Sequence, residues 1–129
     1  MVEQVTTDDA PGGERLPFSQ GIVHGDTVYV SGQVGIDPET GEIVEGGIRA
    51  ETRRTMENVA AILEAAGSSL ENVIKATVFL DDMAEFESFN EVYAEFVEEP
   101  LPARSAVEVS DLAVDVAVEI EVIAAVEDR

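Results

Sequence analysis

The chain has 129 residues, 45% of them apolar, and carries 28 acidic against 7 basic side chains, a net charge of −21. That length suits one domain with a real core. The apolar fraction excludes a disordered chain, and the charge repels free nucleic acid. Cysteine is absent and histidine occurs once, at His24, which excludes disulfides, thiolate catalysis and cysteine-ligated zinc.

Residues 1–15, with Asp8, Asp9, Pro11, Gly12 and Gly13, read as a polar arm ordered only near its end, and residues 16–129 as the single domain. From Pro17 the chain alternates. Residues 18–24 and Thr27–Gln33 are expected as two strands joined by a tight turn at His24-Gly25-Asp26. Residues 34–36 are expected as a short strand ended by the turn at residues 37–42. Gly46-Gly47 then opens a helix whose apolar face is Ile48, Thr52, Thr55, Met56, Val59, Ile62, Leu63 and Ala66. Gly67 falls where a left-handed C-cap is expected. Val73–Leu80 is rich in β-branched residues and reads as a buried strand. Asp82 is placed to cap a second helix with the stripe Phe86, Phe89, Tyr93, Phe96 and Val97, closed by Pro100 and Pro102. Residues 104–109 and 116–126 read as strands. In the longer one Val116, Val118, Ile120, Val122, Ala124 and Val126 share a face, with Glu119 and Glu121 on the other.

The fold class is therefore α+β, one mixed sheet with two helices on one face. The uncovered face needs a partner, which argues for an oligomer. The N-terminal residues have neither the basic nor the apolar region of a signal peptide, and no apolar stretch is long enough to span a bilayer, so the expected location is cytoplasmic. The basic residues include a single lysine, Lys75. High acid and scarce lysine suit a protein working in strong salt, where the Debye length falls to about 3 Å at 1 M and self-repulsion is screened.

Arg104 is the most informative residue. Between Lys75 and Arg129 it is the only cation, among 15 acids. A guanidinium at the start of a strand offers a rigid fork to a substrate carboxylate, or an ion pair to a protein one. Glu119, mid-strand, is either a general acid/base or a solvated charge. Ser31-Gly32, after an apolar strand, offers a hydroxyl and close backbone approach, or marks a bulge. Asn90, among the aromatics of the second helix, can reach a ligand or a neighbouring loop. His24 reads as a turn residue. With no G-x-S-x-G elbow and one histidine, Ser-His-Asp catalysis is not expected. No metal site is expected, since its ligands would be almost wholly carboxylates and no EF-hand spacing occurs. No Walker or dinucleotide fingerprint occurs either.

Several ordered motifs resemble the RidA (YjgF) family of reactive intermediate/imine deaminases. The most specific is Leu101-Pro102-Ala103-Arg104-Ser105-Ala106-Val107-Glu108-Val109 followed by Val118-Glu119-Ile120-Glu121-Val122-Ile123-Ala124. Pro17-Phe18-Ser19-Gln20-Gly21, Val30-Ser31-Gly32-Gln33, Thr55-Met56-Glu57-Asn58-Val59, Leu63-Glu64-Ala65-Ala66-Gly67 and Phe89-Asn90-Glu91-Val92-Tyr93 support it. The resemblance implies a chorismate-mutase-like fold, a homotrimer with clefts between subunits, and no cofactor. It implies hydrolysis of 2-aminoacrylate-type enamines and 2-imino acids to 2-keto acids and ammonia. Arg104 would grip the substrate carboxylate and Glu119 would hold or activate water, with Phe18, Ser31, Gly32 and Asn90 lining the pocket. Two departures bear on substrate preference: Phe18 stands where the family often has tyrosine, and Ala106 where many members have cysteine. A non-catalytic trimer that binds 2-keto acids is the alternative, and a ribonuclease or translation inhibitor is a further one that the charge of −21 opposes.

Overall fold

The structure is a computed structural model that describes residues 1–12 and 16–127. Gly13 of the arm and Arg129 lie outside the described residues. Strand β6 (Val118–Ala125) shows most directly how the sequence builds the sheet. Val118, Ile120, Val122 and Ala124 are buried, and the residues between them face the other way, as a strand period of two dictates. Around β6 assemble β1 (Glu3–Val5), β2 (Gly21–His24), β3 (Thr27–Gln33), β4 (Val73–Leu80) and β5 (Ala103–Glu108). The sheet order is β1-β2-β3-β6-β4-β5. Only β4 and β5 run parallel, joined by a crossover that contains helix α2 (Phe86–Tyr93).

Helix α1 (Gly47–Ala65) packs on β3 and β6 through Ile48, Met56, Val59, Ile62 and Leu63, all buried. Each such side chain withdrawn from water contributes roughly 1.5–3 kcal/mol. The helix ends in a Schellman arrangement: Gly67 adopts φ +82°, its N–H donates to the Glu64 carbonyl at 3.1 Å, and the Ser68 N–H donates to the Leu63 carbonyl at 2.8 Å. A side chain at Gly67 would strain that backbone.

Five expectations need correction. The arm contains β1, paired antiparallel with β2. Its remainder is docked by the buried Gln20, whose amide accepts from the Thr7 N–H (2.8 Å) and donates to the carbonyls of Thr7 (3.0 Å), Ala10 (3.1 Å) and Pro11 (3.0 Å). Residues 18–20 precede β2 instead of belonging to it. Residues 34–36 form no strand. A single bridge, Ile36 to Ile43, closes the turn, and Gly35 lies flat against α1. Strand β4 alternates instead of being buried throughout, because only one face of the sheet is covered by helices. Asp82 caps a 3-10 turn, Met83–Glu85, that leads into α2, accepting from the Ala84 N–H at 2.9 Å.

The other face of the sheet is left without helices and exposes Tyr29 and Val107. Among the described residues no helix is long and apolar enough to cross a membrane. At the surface Arg49 of α1 pairs with Glu91 of α2, and Arg53 pairs at 2.8 Å with Glu95, two residues past the end of α2. Such exposed pairs contribute little and are weakened by salt, whereas screening relieves the repulsion of a 28-to-7 acid excess. The second effect wins. The midpoint of thermal unfolding is expected to rise on the order of 5–10 °C between about 0.1 and 2 M KCl. Calorimetry checks it, and a flat or falling midpoint contradicts the charge argument.

Candidate functional site

Arg104 is the second residue of the edge strand β5, just after Pro102. It pairs in register with Ala76 of β4, so its side chain rises on the helix-covered face and meets α2. There its Nη1 donates to Asn90 Oδ1 at 2.8 Å. Its Cζ lies 5.0 Å from the ring centre of Tyr93 and 5.5 Å from those of Phe86 and Phe89. Cation–π contacts of this kind contribute about 0.5–1 kcal/mol each when exposed and more when dry. Among the described residues no carboxylate stands within ion-pair distance of Arg104. Burial pushes the Tyr93 phenol pKa up against the opposing pull of Arg104, so the ring stays neutral. The guanidinium is therefore held by an amide and three uncharged rings, and no carboxylate of the described residues pairs with it. Of the two alternatives open in the sequence, an internal ion pair is the one the described residues do not form.

Glu119 belongs to a second cluster. Two residues of β3, Ser31 and Gly32, stand opposite one residue of β6, Glu121, in a β-bulge between the pairs Val30–Val122 and Gln33–Ile120. The Glu119 carboxylate settles in the space this leaves. A Cβ on Gly32 would overlap its Oε2 and lie 2.8 Å from its carboxyl carbon. Burial, and then the neighbouring Glu121, push the Glu119 pKa above the ordinary 4.5. The Ser31 hydroxyl, expected to face a ligand, donates to the Ser19 carbonyl at 2.5 Å. The Ser31 N–H donates to the Gln20 carbonyl at 2.9 Å. Ser31 thus fastens the turn that carries Phe18, which is half exposed. Phe18 and Ser19 line a hollow of about 1140 Å³ whose far wall is the arm, including Thr6, Thr7 and Pro11. Neither Arg104 nor Glu119 lines it.

The sheet keeps the two clusters apart. Glu119 pairs with Phe79, whereas Arg104 lies beside Ala76 and, across it, Val122. By strand alternation Arg104 and Glu119 project from opposite faces. Gly32 and Glu119 form one group beside Ser31, Arg104 and Asn90 form the other, and Phe18 lies toward the arm on the turn that Ser31 fastens. Sequence reasoning placed Phe86, Phe89 and Tyr93 in the core stripe of α2 and missed them as the cage. Their spacing around Asn90, opposite a lone cation, was the available signal. Among the described residues no group of three metal-ligating side chains comes together.

The molecule is thus a two-layer α+β protein whose edge strand carries a guanidinium that no carboxylate of the described residues pairs. A family model described as endoribonuclease L-PSP matches residues 8–126. A RutC family protein of Pyrococcus horikoshii is 54% identical over 96% of this chain and 98% of its own length. Human 2-iminobutanoate/2-iminopropanoate deaminase is 39% identical over 93% of this chain and 87% of its own. The crystal structure of E. coli TdcF with bound serine superposes with a TM-score of 0.89 at 41% identity, covering 95% of this chain and 98% of that one. The chain belongs to this family, the RidA (YjgF) family.

The Gly32–Glu119 contact is testable by stability alone. Gly32→Ala is expected to cost about 1–3 kcal/mol by overpacking. In the Glu119→Ala background most of that cost should vanish, a coupling above about 1 kcal/mol in a double-mutant cycle by urea unfolding. Additive single effects would show that the two groups do not compete for that space.

Proposed function

We propose that this protein hydrolyses 2-aminoacrylate-type enamines, through their 2-imino acid tautomers, to 2-keto acids and ammonia. The carrying observation is the caged guanidinium of Arg104, which has a neutral hydrogen-bond partner in Asn90 and no carboxylate beside it among the described residues. The kinship to a named imine deaminase and the serine held by TdcF support a small amino-acid-derived ligand. Because Arg104 and Glu119 leave opposite faces of one chain, the reading calls for a second copy to bring them together. The family resemblance implies that the assembly is a homotrimer, and the expected location is cytoplasmic. In that trimer the arginine face of one protomer meets the uncovered sheet face of the next.

In such a cleft Arg104 forms a bidentate pair with the substrate carboxylate. This fixes the C2 imine carbon beside a water held by Glu119 of the neighbouring protomer. Ionised Glu119 takes a proton as the water oxygen bonds to C2. The imine enters protonated, so this addition gives a neutral carbinolamine. Glu119 returns that proton to its nitrogen, and as the C–N bond breaks the hydroxyl proton passes through Glu119 to the released ammonia, leaving the 2-keto acid and ammonium. One general acid/base contributes about 10²–10⁴-fold, enough for an electrophile that already hydrolyses unaided. Asn90 acts on Arg104 and not on the ligand. Phe18 and Gly32 supply the apolar wall and the backbone approach, and Ser31 holds that wall in place. No metal or organic cofactor enters these steps. The charge of −21 argues against the ribonuclease activity in the family description.

The test generates 2-iminopropanoate in situ with an amino acid oxidase in molar KCl and follows its decay above the uncatalysed rate. Wild-type protein is expected to accelerate decay, and Arg104→Ala to abolish the acceleration. Arg104→Lys should lose most of it, since an ammonium lacks the planar fork. Decay equal with and without wild-type protein sinks the reading. Glu119 adds a pH signature. Its ionised form is the competent one and its pKa is raised, so activity should fall with acid through a limb lying above 4.5. Stability runs the opposite way. A carboxyl with a raised folded-state pKa favours folding below its unfolded pKa, and that contribution is lost as pH rises through the folded value. Glu119→Gln should therefore be more stable than wild type at neutral pH, lack the acid limb, and turn over about 10²–10⁴-fold more slowly.

A further inference from the structure

Glu51 was not among the residues that the sequence singled out. It lies early in α1, on the side turned to the sheet, and is 8% exposed. Its Oε1 accepts the Ala117 N–H at 2.7 Å. The Ala117 carbonyl in turn accepts the Asp81 N–H at 3.1 Å. Ala117 is therefore pinned on both sides one residue before β6 begins and two residues before Glu119. The backbone of Glu51 makes another contact. A Cβ on Gly35 would stand 2.8 Å from the Glu51 Cα and 2.9 Å from its carbonyl oxygen. The chain leaving Ser31-Gly32-Gln33 is thus pressed directly on the same turn of α1.

These contacts converge on one geometric demand. The Glu119 carboxylate fills the space of the missing Gly32 side chain, and this holds only while β3 and β6 keep their offset at the bulge. Glu51 grips both segments that run from that point, β3 through Gly35 and β6 through Ala117. We propose that Glu51 is a positioning residue that sets the start of β6, so that Glu119 stays lodged against Gly32. The proposal rests on the reading of Glu119 as the water-holding group. What matters in Glu51 is the reach of its acceptor oxygen. Asp81, Glu85 and Asp115 surround it with like charge, so the negative charge itself gains nothing there.

Three substitutions separate reach from charge. Glu51→Gln keeps an acceptor at the same distance, Glu51→Asp keeps the charge but falls one methylene short, and Glu51→Ala removes both. Two readouts are taken: kcat and KM for imine hydrolysis, and the titration of the Glu119 carboxyl by ¹³C NMR without substrate. Glu51→Gln is expected to behave as wild type within about 2-fold. The Asp and Ala variants should lose kcat on the order of 10–100-fold with little change in KM, as a displaced catalytic group produces. In both, Glu119 should titrate at lower pH, closer to 4.5, as its carboxylate leaves its shelter. Folded Asp or Ala variants with wild-type kcat and an unmoved Glu119 titration would overturn the proposal, as would a Gln variant as impaired as Ala. A loss confined to KM would overturn it too. Should the Ala and Asp variants fail to fold, amide exchange decides. Protection of the Ala117 N–H equal to that of the β6 core, in wild type and in Glu51→Gln, supports the proposal, and free exchange in wild type overturns it. Because the titration needs no substrate, absence of imine turnover by wild type would sink the deaminase reading and leave this positioning test readable.

Discussion

A guanidinium taken partly out of water loses hydration, and proteins usually restore that loss with a carboxylate. Arg104 is given an amide and three aromatic rings instead. The rings present their negative faces to the cation without bearing a charge, so they hold it in place and leave its field uncancelled. The fold makes this possible through its one parallel strand pair. Strands β4 and β5 need a crossover, and the crossover carries α2. Phe86, Phe89, Asn90 and Tyr93 thereby reach an edge strand from which a core-facing arginine would otherwise emerge among acids. The cage is a consequence of topology as much as of residue choice.

The carboxylate cluster obeys the opposite logic. Glu119 is partly buried, carries a like charge two residues away and has no hydrogen-bond donor from the described residues. Its place is set by subtraction: a bulge, a glycine and the space between them. Both clusters are thus charges that the described residues do not neutralise, of opposite sign and on opposite sides of one sheet. Strand alternation forbids them from meeting within a chain. On the proposed deaminase reading, that division would give assembly a functional meaning, since a second copy would present the complementary charge.

Much of this was legible because it is locally encoded. The face of α1 from Ile48 to Ala66, the Gly67 cap and the alternation of β6 each follow from a period or a steric rule that operates within a few residues. The 3-10 turn after Asp82 is likewise a local signal, displaced by one element. What escaped notice depends on contacts distant in sequence. Strand β1 is three residues long with one buried side chain, Val5, too brief to show a period. The Ser31 hydroxyl found a carbonyl twelve positions away and Glu51 an N–H sixty-six positions away. Arg104 and Glu119 were legible as chemical types, whereas their separation on two faces required the register of β4 with both β5 and β6.

The charge of the whole molecule sharpens the need for a cage. A small organic acid approaching a surface of −21 is repelled at long range. Salt removes that barrier by shortening the Debye length to about 3 Å at 1 M. The same screening removes long-range attraction, so capture must come from contacts made within a bond length of the ligand. A planar fork held on aromatic faces offers that: two charge-assisted hydrogen bonds, already oriented. A lysine would offer a mobile point charge, which depends more on the field that salt destroys. On the proposed reading, a chain with a single lysine and an arginine as the cation in the cage suits recognition at contact range.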